Sequence, residues 1–191
     1  GNAIEYAVDH GAGVIVLPHG FISHGSGALY PLFYMGTDFG YPVDNPKLRR
    51  SFDRAYEADC LICKGTADNR GRRVASAIVG HDAVLPIGSS NRRGEPADIC
   101  PSTDYALAAT PGGERGSDDE VDYIWSTGVD GGFVSFTGGC MASGFAGGTA
   151  ALVKSRFPDL SIEELKMVLR NTASAVESAA AEAGKSAGDA V

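Results

Sequence analysis

A thiol follows two glycines at the start of a long stretch rich in alanine and glycine, in the order Gly138, Gly139, Cys140. Residues 141–157 predict a helix that ends before Pro158, so Cys140 is expected at a helix amino terminus. There the helix dipole and the backbone N–H groups favour the thiolate, and the same N–H groups can receive an oxyanion. These features allow a nucleophilic thiol. Without further context, however, a lone cysteine at this place favours the alternative, a small buried residue where a helix packs tightly on a sheet.

Four histidines could act as a base for such a nucleophile: His10, His19, His24 and His81. His10 ends a predicted helix, where a cation suits the helix dipole and the role is structural. His81 precedes a predicted strand and is expected at the surface. His24 lies in a loop of glycine and serine and is assigned no role. His19 follows a short apolar strand and stays a candidate.

The elements that must position Cys140 alternate between helices and short apolar strands. Helices are predicted over residues 4–10, 46–57, 141–157 and 162–172, and the last opens with a capping box at residues 161–164. Strands are predicted over residues 14–17, 60–63, 82–88 and 104–109, with a hairpin over 124–136. The first two strands are continuous apolar runs, which predicts burial on both faces. This order predicts an α/β fold with a mostly parallel sheet and sites at the carboxyl ends of its strands.

Composition limits the classes of function. The 191 residues fit one domain, and 43% hydrophobic residues can supply a core. A net charge of −8 argues against nucleic-acid binding. No run approaches the ~20 apolar residues that span a bilayer, so no membrane partner is expected. The start shows neither a signal peptide nor an initiator methionine, and we expect a fragment or a processed chain.

The cysteines are Cys60, Cys63, Cys100 and Cys140. On a strand, Cys60 and Cys63 point to opposite faces, so they cannot easily bind one metal ion together. We therefore expect them to be buried free thiols. Unpaired thiols favour an intracellular, reducing compartment over an oxidising one.

The segment around Cys140 closely resembles the signature G-T-S-M-A-[ST]-P-x-V-A-G-x-A-A-L of the subtilisin-like peptidases, the subtilases. The residues that match in register are Gly138, Met141, Ala142, Ser143, Gly148, Ala150, Ala151 and Leu152. Weaker matches to other segments of the subtilase pattern occur in the same order as in the family, at residues 3–20, 59–71, 84–89, 108–113, 124–127 and 157–173. The resemblance rests on the whole set of matches in the family's order, because one short motif alone would be weak evidence for a family.

The resemblance implies a subtilisin-like doubly wound, mostly parallel sheet flanked by helices. Residues 1–173 would form part of such a domain, and residues 174–191 would be an Ala/Gly/Ser-rich tail, frayed or disordered. The implied activity is endopeptidase hydrolysis of peptide bonds by nucleophilic acyl transfer, with peptides or proteins as substrates. No cofactor or metal is expected, because Asp104 and the acids of residues 117–122 lack the spacing of a calcium loop.

The resemblance also implies a set of site residues. Cys140 stands where the family carries its nucleophilic serine, and Asn69 stands at the asparagine that donates to the oxyanion. His19 would border the cleft and is a candidate surrogate base. The substrate-binding residues would be Pro18, His19, Gly20, Ala67, Asp68 and Gly139.

The chain departs from the family pattern at several positions. Gly139 replaces a threonine, Gly144 a proline and Asp68 a glycine. The family's Asp and His motifs, which come earlier in the chain, are missing. An amino-terminal segment or a second chain would have to supply them, and the isolated chain is expected to be inactive or very weak.

Two alternatives accompany the peptidase hypothesis. The departures at Asp68, Gly139, Cys140 and Gly144 also suit a pseudopeptidase that binds peptides or acts as a scaffold without hydrolysis. A third hypothesis is that Cys140 was engineered from serine to trap an acyl intermediate.

Overall fold

A computed structural model describes residues 1–18, 46–66, 79–97 and 106–174. Within these ranges, helices and short strands alternate along the chain. The helices are α1 (Asn2–Asp9), α2 (Pro46–Glu57), α3 (Gly139–Arg156) and α4 (Ile162–Thr172). The strands are β1 (Val14–Val16), β2 (Leu61–Gly65), β3 (Val84–Ser90), β4 (Ala108–Pro111), β5 (Ile124–Thr127) and β6 (Phe133–Phe136).

The first four strands form a parallel sheet in the order β1-β2-β3-β4. β5 and β6 form a separate antiparallel hairpin. The predicted α/β fold with a parallel sheet flanked by helices is therefore confirmed. Since neighbouring strands run in the same direction, their carboxyl ends meet at one edge of the sheet.

Helices cover both faces of the sheet, as a parallel sheet requires. On one face, α3 and α4 pack on Leu61, Cys63, Leu85 and Ile87. On the other face, α1 and α2 pack on Cys60, Ile62, Ala83 and Val84. Cys60 and Cys63 thus point to opposite sides, as the period of a strand predicts.

The sequence of α2 shows why it lies on the sheet. Pro46 occupies the first turn, where its missing N–H costs nothing, and the buried side chains Leu48, Phe52 and Ala55 recur at helical spacing. Fully burying Phe52 contributes about 1.5–3 kcal/mol. The predicted bounds of this helix are confirmed.

Two strand predictions need correction. β1 is not buried on both faces: Val16 is 42% exposed, because among the described residues no strand pairs with its outer edge. Of the predicted fourth strand, residues 104 and 105 lie outside the described residues, whereas β4 as described begins at Ala108 and extends beyond the predicted end at residue 109, through Pro111. Proline is tolerated there because β4 is the last strand of the sheet, where a missing N–H breaks no ladder bond.

The helix α4 begins with the capping box predicted from its sequence. The Ser161 hydroxyl accepts from the Glu164 N–H, and the Glu164 carboxylate accepts from the Ser161 N–H. The hydrogen bonds that the Glu164 carboxylate accepts from the Ser161 N–H and from the Ser161 hydroxyl lower the pKa of this carboxyl. None of the helices in the described ranges is long and apolar enough to cross a membrane.

Candidate functional site at the carboxyl edge of the sheet

Helix α3 begins after a glycine whose backbone conformation excludes side chains. Gly138 caps the helix with φ 136° and ψ 170°, a region that residues with a Cβ rarely adopt. Its carbonyl accepts from the Met141 N–H at 3.0 Å and starts the helix. The sharp bend places Cys140 in the first turn.

A buried serine fastens this first turn to the end of β2. The Ser143 hydroxyl accepts from the Gly65 N–H at 2.8 Å and donates to the Gly139 carbonyl at 2.7 Å. The two backbones approach so closely that a Cβ on Gly65 would lie 2.4 Å from the Gly139 oxygen. The turn that carries Cys140 is therefore held against the last residue of a central strand.

The segment that follows β4 holds the same turn from the other side. The Gly138 N–H donates to the Gly112 carbonyl at 2.7 Å, and the Thr110 hydroxyl donates to the Ala142 carbonyl at 2.7 Å. A Cβ on Gly112 would lie 1.8 Å from the Ser89 Oγ. Gly112 is therefore required by the close contact between β3, β4 and α3.

The Cys140 thiol is exposed and lies beside the end of β1. Its Sγ donates to the Pro18 carbonyl at 2.8 Å, and Pro18 is two residues beyond the last residue of that strand. The interpretation of Cys140 as a small buried packing residue is therefore wrong. An exposed thiol in the first turn of a helix, at the carboxyl edge of a parallel sheet, can act as a nucleophile.

Two other thiols differ from Cys140 in their surroundings. Burial raises the pKa of Cys60 to about 11, although the positive charge of Lys154 opposes the shift. Burial, with a smaller contribution from Cys60, raises the pKa of Cys63 to about 12. Both thiols therefore stay protonated and inert at neutral pH, whereas Cys140 is open to solvent.

The structure brings three of the predicted site residues together: Pro18, Gly139 and Cys140. The remaining predicted site residues, like Cys100 and His24, lie outside the described residues; they are His19, Gly20, Ala67, Asp68 and Asn69. Ser143 and Gly112 were not predicted to position the site. Ser143 was visible in the sequence only as a signature match, and nothing in the sequence shows its bond to Gly65.

Two of the histidines lie elsewhere. The His10 ring stacks on Tyr6 and bonds the Tyr6 carbonyl at the end of α1, as a structural role predicts. His81 is half-buried and not a plain surface residue, because it contacts Asp53 and packs edge-on against Phe52. Within the described ranges, no group of three or more His, Cys, Asp or Glu side chains could hold a metal ion.

A model of the subtilase family matches residues 83–188, more than half of the chain. The chain belongs to the subtilase family. The match includes β3, β4, the hairpin and α3, so the subtilase sequence pattern and the geometry around Cys140 coincide. No curated protein matches the sequence.

Solved protease structures share the fold. The patellamide maturation protease PatA has a TM-score of 0.70 and 19% identity over 95% of this chain. The prenylagaramide maturation protease PagA has a TM-score of 0.68 and 18% identity over 92% of this chain. The nisin leader peptidase NisP from Lactococcus lactis has a TM-score of 0.61 and 17% identity over 87% of this chain.

The chain spans little more than half the length of these structures. It covers 60% of PatA, 57% of PagA and 54% of NisP. The fold of this chain is thus similar to one part of these longer protease chains.

Proposed function

We propose that this chain is the carboxyl-terminal part of a subtilase endopeptidase domain, with Cys140 as the nucleophile of acyl transfer. The observation that carries the proposal is the exposed Cys140 thiol in the first turn of α3, at the carboxyl edge of the parallel sheet. Residues 1–173 are assigned to the partial domain and residues 174–191 to a tail. The substrates are peptides or proteins, the class that a peptidase family implies.

The proposed reaction proceeds through a thioester. The Cys140 thiolate attacks the scissile carbonyl carbon and forms a C–S bond, and the carbonyl oxygen becomes an oxyanion. Asn69 and the Cys140 backbone N–H donate to that oxyanion. The C–N bond then breaks, a protonated base gives its proton to the leaving amine, and water hydrolyses the thioester.

The base and its aspartate partner are proposed to come from an amino-terminal segment or a second chain. Two features of the surface are evidence for an additional segment that would cover them. Among the described residues, no strand pairs with the outer edge of β1. Helix α3 is apolar on its outer face as well, where Leu152 is 72% exposed, and a helix apolar all round is typical of a protein interior. His19 is the candidate surrogate base when this segment is absent.

Substrate contacts are proposed for Pro18, His19, Gly20, Ala67, Asp68 and Gly139. Pro18, just after β1, accepts the hydrogen bond of the Cys140 thiol, and Gly139 precedes Cys140 at the start of α3. Asp68 stands where the subtilases have a glycine, and we propose that it favours a basic side chain next to the scissile bond.

Acyl transfer from an activated ester tests the nucleophile without the missing segment. After incubation with p-nitrophenyl acetate, peptide mapping by mass spectrometry should find the acetyl group on Cys140. Cys140→Ala should remove this modification, whereas Cys60 and Cys63 should stay unmodified because they are buried. Acetylation that is absent, or equal at Cys60 and Cys140, contradicts the proposed nucleophile.

A pseudopeptidase is the second candidate, and the bond to Pro18 favours it. A thiol that donates to a carbonyl is stabilised in its protonated form, which opposes attack. Together with Gly139, Gly144 and Asp68, this suits a module that binds peptides without cleaving them. Peptide binding without turnover by the full-length protein would support this candidate, and rapid Cys140-dependent turnover would exclude it.

A further inference from the structure

An exposed aromatic face lies on the hairpin that leads into the site. Thr127 pairs with Phe133 across the hairpin, and Trp125, two residues before Thr127, points to the same side. Trp125 is 50% exposed and Phe133 is 76% exposed. We name Trp125, Thr127 and Phe133 the aromatic hairpin face.

Carboxylates border this face. The Trp125 indole donates to the Glu120 carbonyl at 3.1 Å, which places its ring beside the short 3-10 helix Glu120–Asp122. Two further carboxylates, Asp118 and Asp119, lie in the turn that precedes this helix, and both are exposed. Residues 114–122 contain five acids, Glu114, Asp118, Asp119, Glu120 and Asp122, and one arginine, Arg115. Arg92 pairs with Asp122 at 3.5 Å and lies outside this segment.

The hairpin is fastened near Cys140. Glu114 N–H donates to the Asp122 carbonyl at 2.8 Å, and the glycine that follows β4 bonds Gly138. β6 ends at Phe136, and Thr137, Gly138 and Gly139 then lead to Cys140. At ~3.3 Å per residue, Phe133 lies within about 23 Å of the thiol. An extended peptide bound at Cys140 can therefore reach the aromatic hairpin face about seven residues away.

We infer that the aromatic hairpin face binds a segment of the substrate peptide that carries both apolar and basic side chains. The inference rests on the proposed function, because it takes the bound peptide to extend from Cys140. The aromatic rings would cover apolar side chains and lysine or arginine stems, and the bordering carboxylates would pair with the cationic groups.

Charge excludes other occupants of this face. A nucleic acid would bring phosphates against Asp118, Asp119 and Glu120. A second copy that used the same face about a two-fold axis would place a second set of these acids in the same interface. A basic and apolar peptide matches both the rings and the carboxylates.

The chain contains one tryptophan, so the fluorescence of Trp125 reports directly on this face. The 191-residue chain with Cys140→Ala is titrated with a blocked heptapeptide that alternates lysine and leucine, and with a control in which glutamate replaces lysine. We expect saturable binding of the basic peptide, at least tenfold weaker binding of the acidic one, and weaker binding at high salt. Equal affinity for the two peptides, or no change in fluorescence, would overturn the inference.

Matched variants locate the binding. Phe133→Ala should weaken binding about tenfold, since truncation of a central aromatic contact commonly has an effect of this size. Phe157→Ala, at the other end of α3, removes a similarly exposed ring and should leave binding unchanged. Circular dichroism checks that both variants fold. Equal weakening by both variants, or a signal that changes with protein concentration alone, would contradict peptide binding at this face.

This titration separates the inference from the proposed function. Binding is measured without Cys140, so a failure of acyl transfer leaves the titration interpretable. Conversely, acetylation of Cys140 with no preference for the basic peptide would retain the nucleophile and overturn only the role of the aromatic hairpin face.

Discussion

At the scale of single residues, the position of Cys140 depends on groups that do no chemistry. Ser143 satisfies the Gly65 N–H and the Gly139 carbonyl in a buried place, with distances of 2.8 and 2.7 Å. Ser143 is therefore a positioning residue, because it acts through the backbone of the turn and not through contact with a substrate.

Ser143→Ala should lower the free energy of unfolding by about 1–3 kcal/mol, because the buried Gly65 N–H loses the hydroxyl that accepts from it. Alkylation of Cys140 should also become slower, as the turn is no longer fastened to β2. Urea unfolding and site-resolved alkylation measure the two effects. Ser143→Thr keeps the hydroxyl and should restore the alkylation rate.

Ser155→Ala is the matched control for this substitution. Ser155 lies on the same helix, is exposed and bonds only within it, to the Leu152 carbonyl at 2.8 Å. Its replacement should change the unfolding free energy by less than about 0.5 kcal/mol. If Ser143→Ala were as mild as Ser155→Ala, the bond from α3 to β2 would not position the site.

The sequence predicts the place of Cys140 at a helix start but not the residues that hold it there. The signature around Cys140 is local, and a thiol after two glycines predicts its own place at a helix start. The bond from Ser143 to Gly65 joins residues 78 apart, and the bond from Cys140 to Pro18 joins residues 122 apart. Only the tertiary fold brings such pairs together.

At the scale of secondary structure, Cys63 in β2 and Cys60, the residue just before this strand, are buried on opposite faces of the sheet. The unfolded thiols would ionise near the ordinary value of 9.0, whereas the folded thiols have pKa values of about 11 for Cys60 and about 12 for Cys63. The folded state thus holds more protons between these values. Their contribution to stability is complete below pH ~9 and falls as the pH rises towards 11 and 12.

Replacing both thiols with alanine should therefore flatten the alkaline loss of stability. Each thiol contributes a slope of up to ~1.4 kcal/mol per pH unit above pH ~9. Urea unfolding of the parent and of the Cys60→Ala, Cys63→Ala variant at pH 8 to 10.5 measures the difference in slope. Other groups titrate equally in both proteins, so parallel curves would show that these thiols do not stay protonated in the fold.

The sequence predicts a helix or strand well where the residues of that segment alone determine it. The proline in the first turn and the apolar spacing of α2 gave its bounds, and the capping box gave the start of α4. The burial of β1 could not be predicted, because it depends on a neighbouring strand and not on Val14, Ile15 and Val16 themselves. The predicted end of the fourth strand at residue 109 falls short of the end of β4, because proline is unfavourable within strands in general but is tolerated in an edge strand at Pro111.

At the scale of the whole molecule, the chain has surfaces typical of an interior. The outer edge of β1 has no paired strand among the described residues, and Phe145, Leu152 and Phe157 are exposed. Its solved relatives are longer, and the chain covers 60% of PatA and 57% of PagA. These observations support a partner segment at β1 and α3.

The isolated chain should self-associate through these surfaces, because open strand edges and large exposed apolar patches favour association. Sedimentation velocity at increasing protein concentration should show growing species. Leu152→Lys should reduce association, whereas Val129→Lys, in the hairpin turn, should not. A chain that stays monomeric over the whole range would argue against an uncovered interface.

The rate of Cys140 alkylation as a function of pH tests the central claim most directly. Iodoacetamide labelling, quantified separately for each cysteine by mass spectrometry, compares Cys140 with the buried Cys60 and Cys63 and with Cys100. A nucleophile at the start of α3 predicts faster labelling of Cys140 than of Cys60 and Cys63, with a pH midpoint below the ~8.5 of a free cysteine. Labelling of Cys140 as slow as that of the other thiols, at every pH tested, would contradict an activated nucleophile and favour the pseudopeptidase.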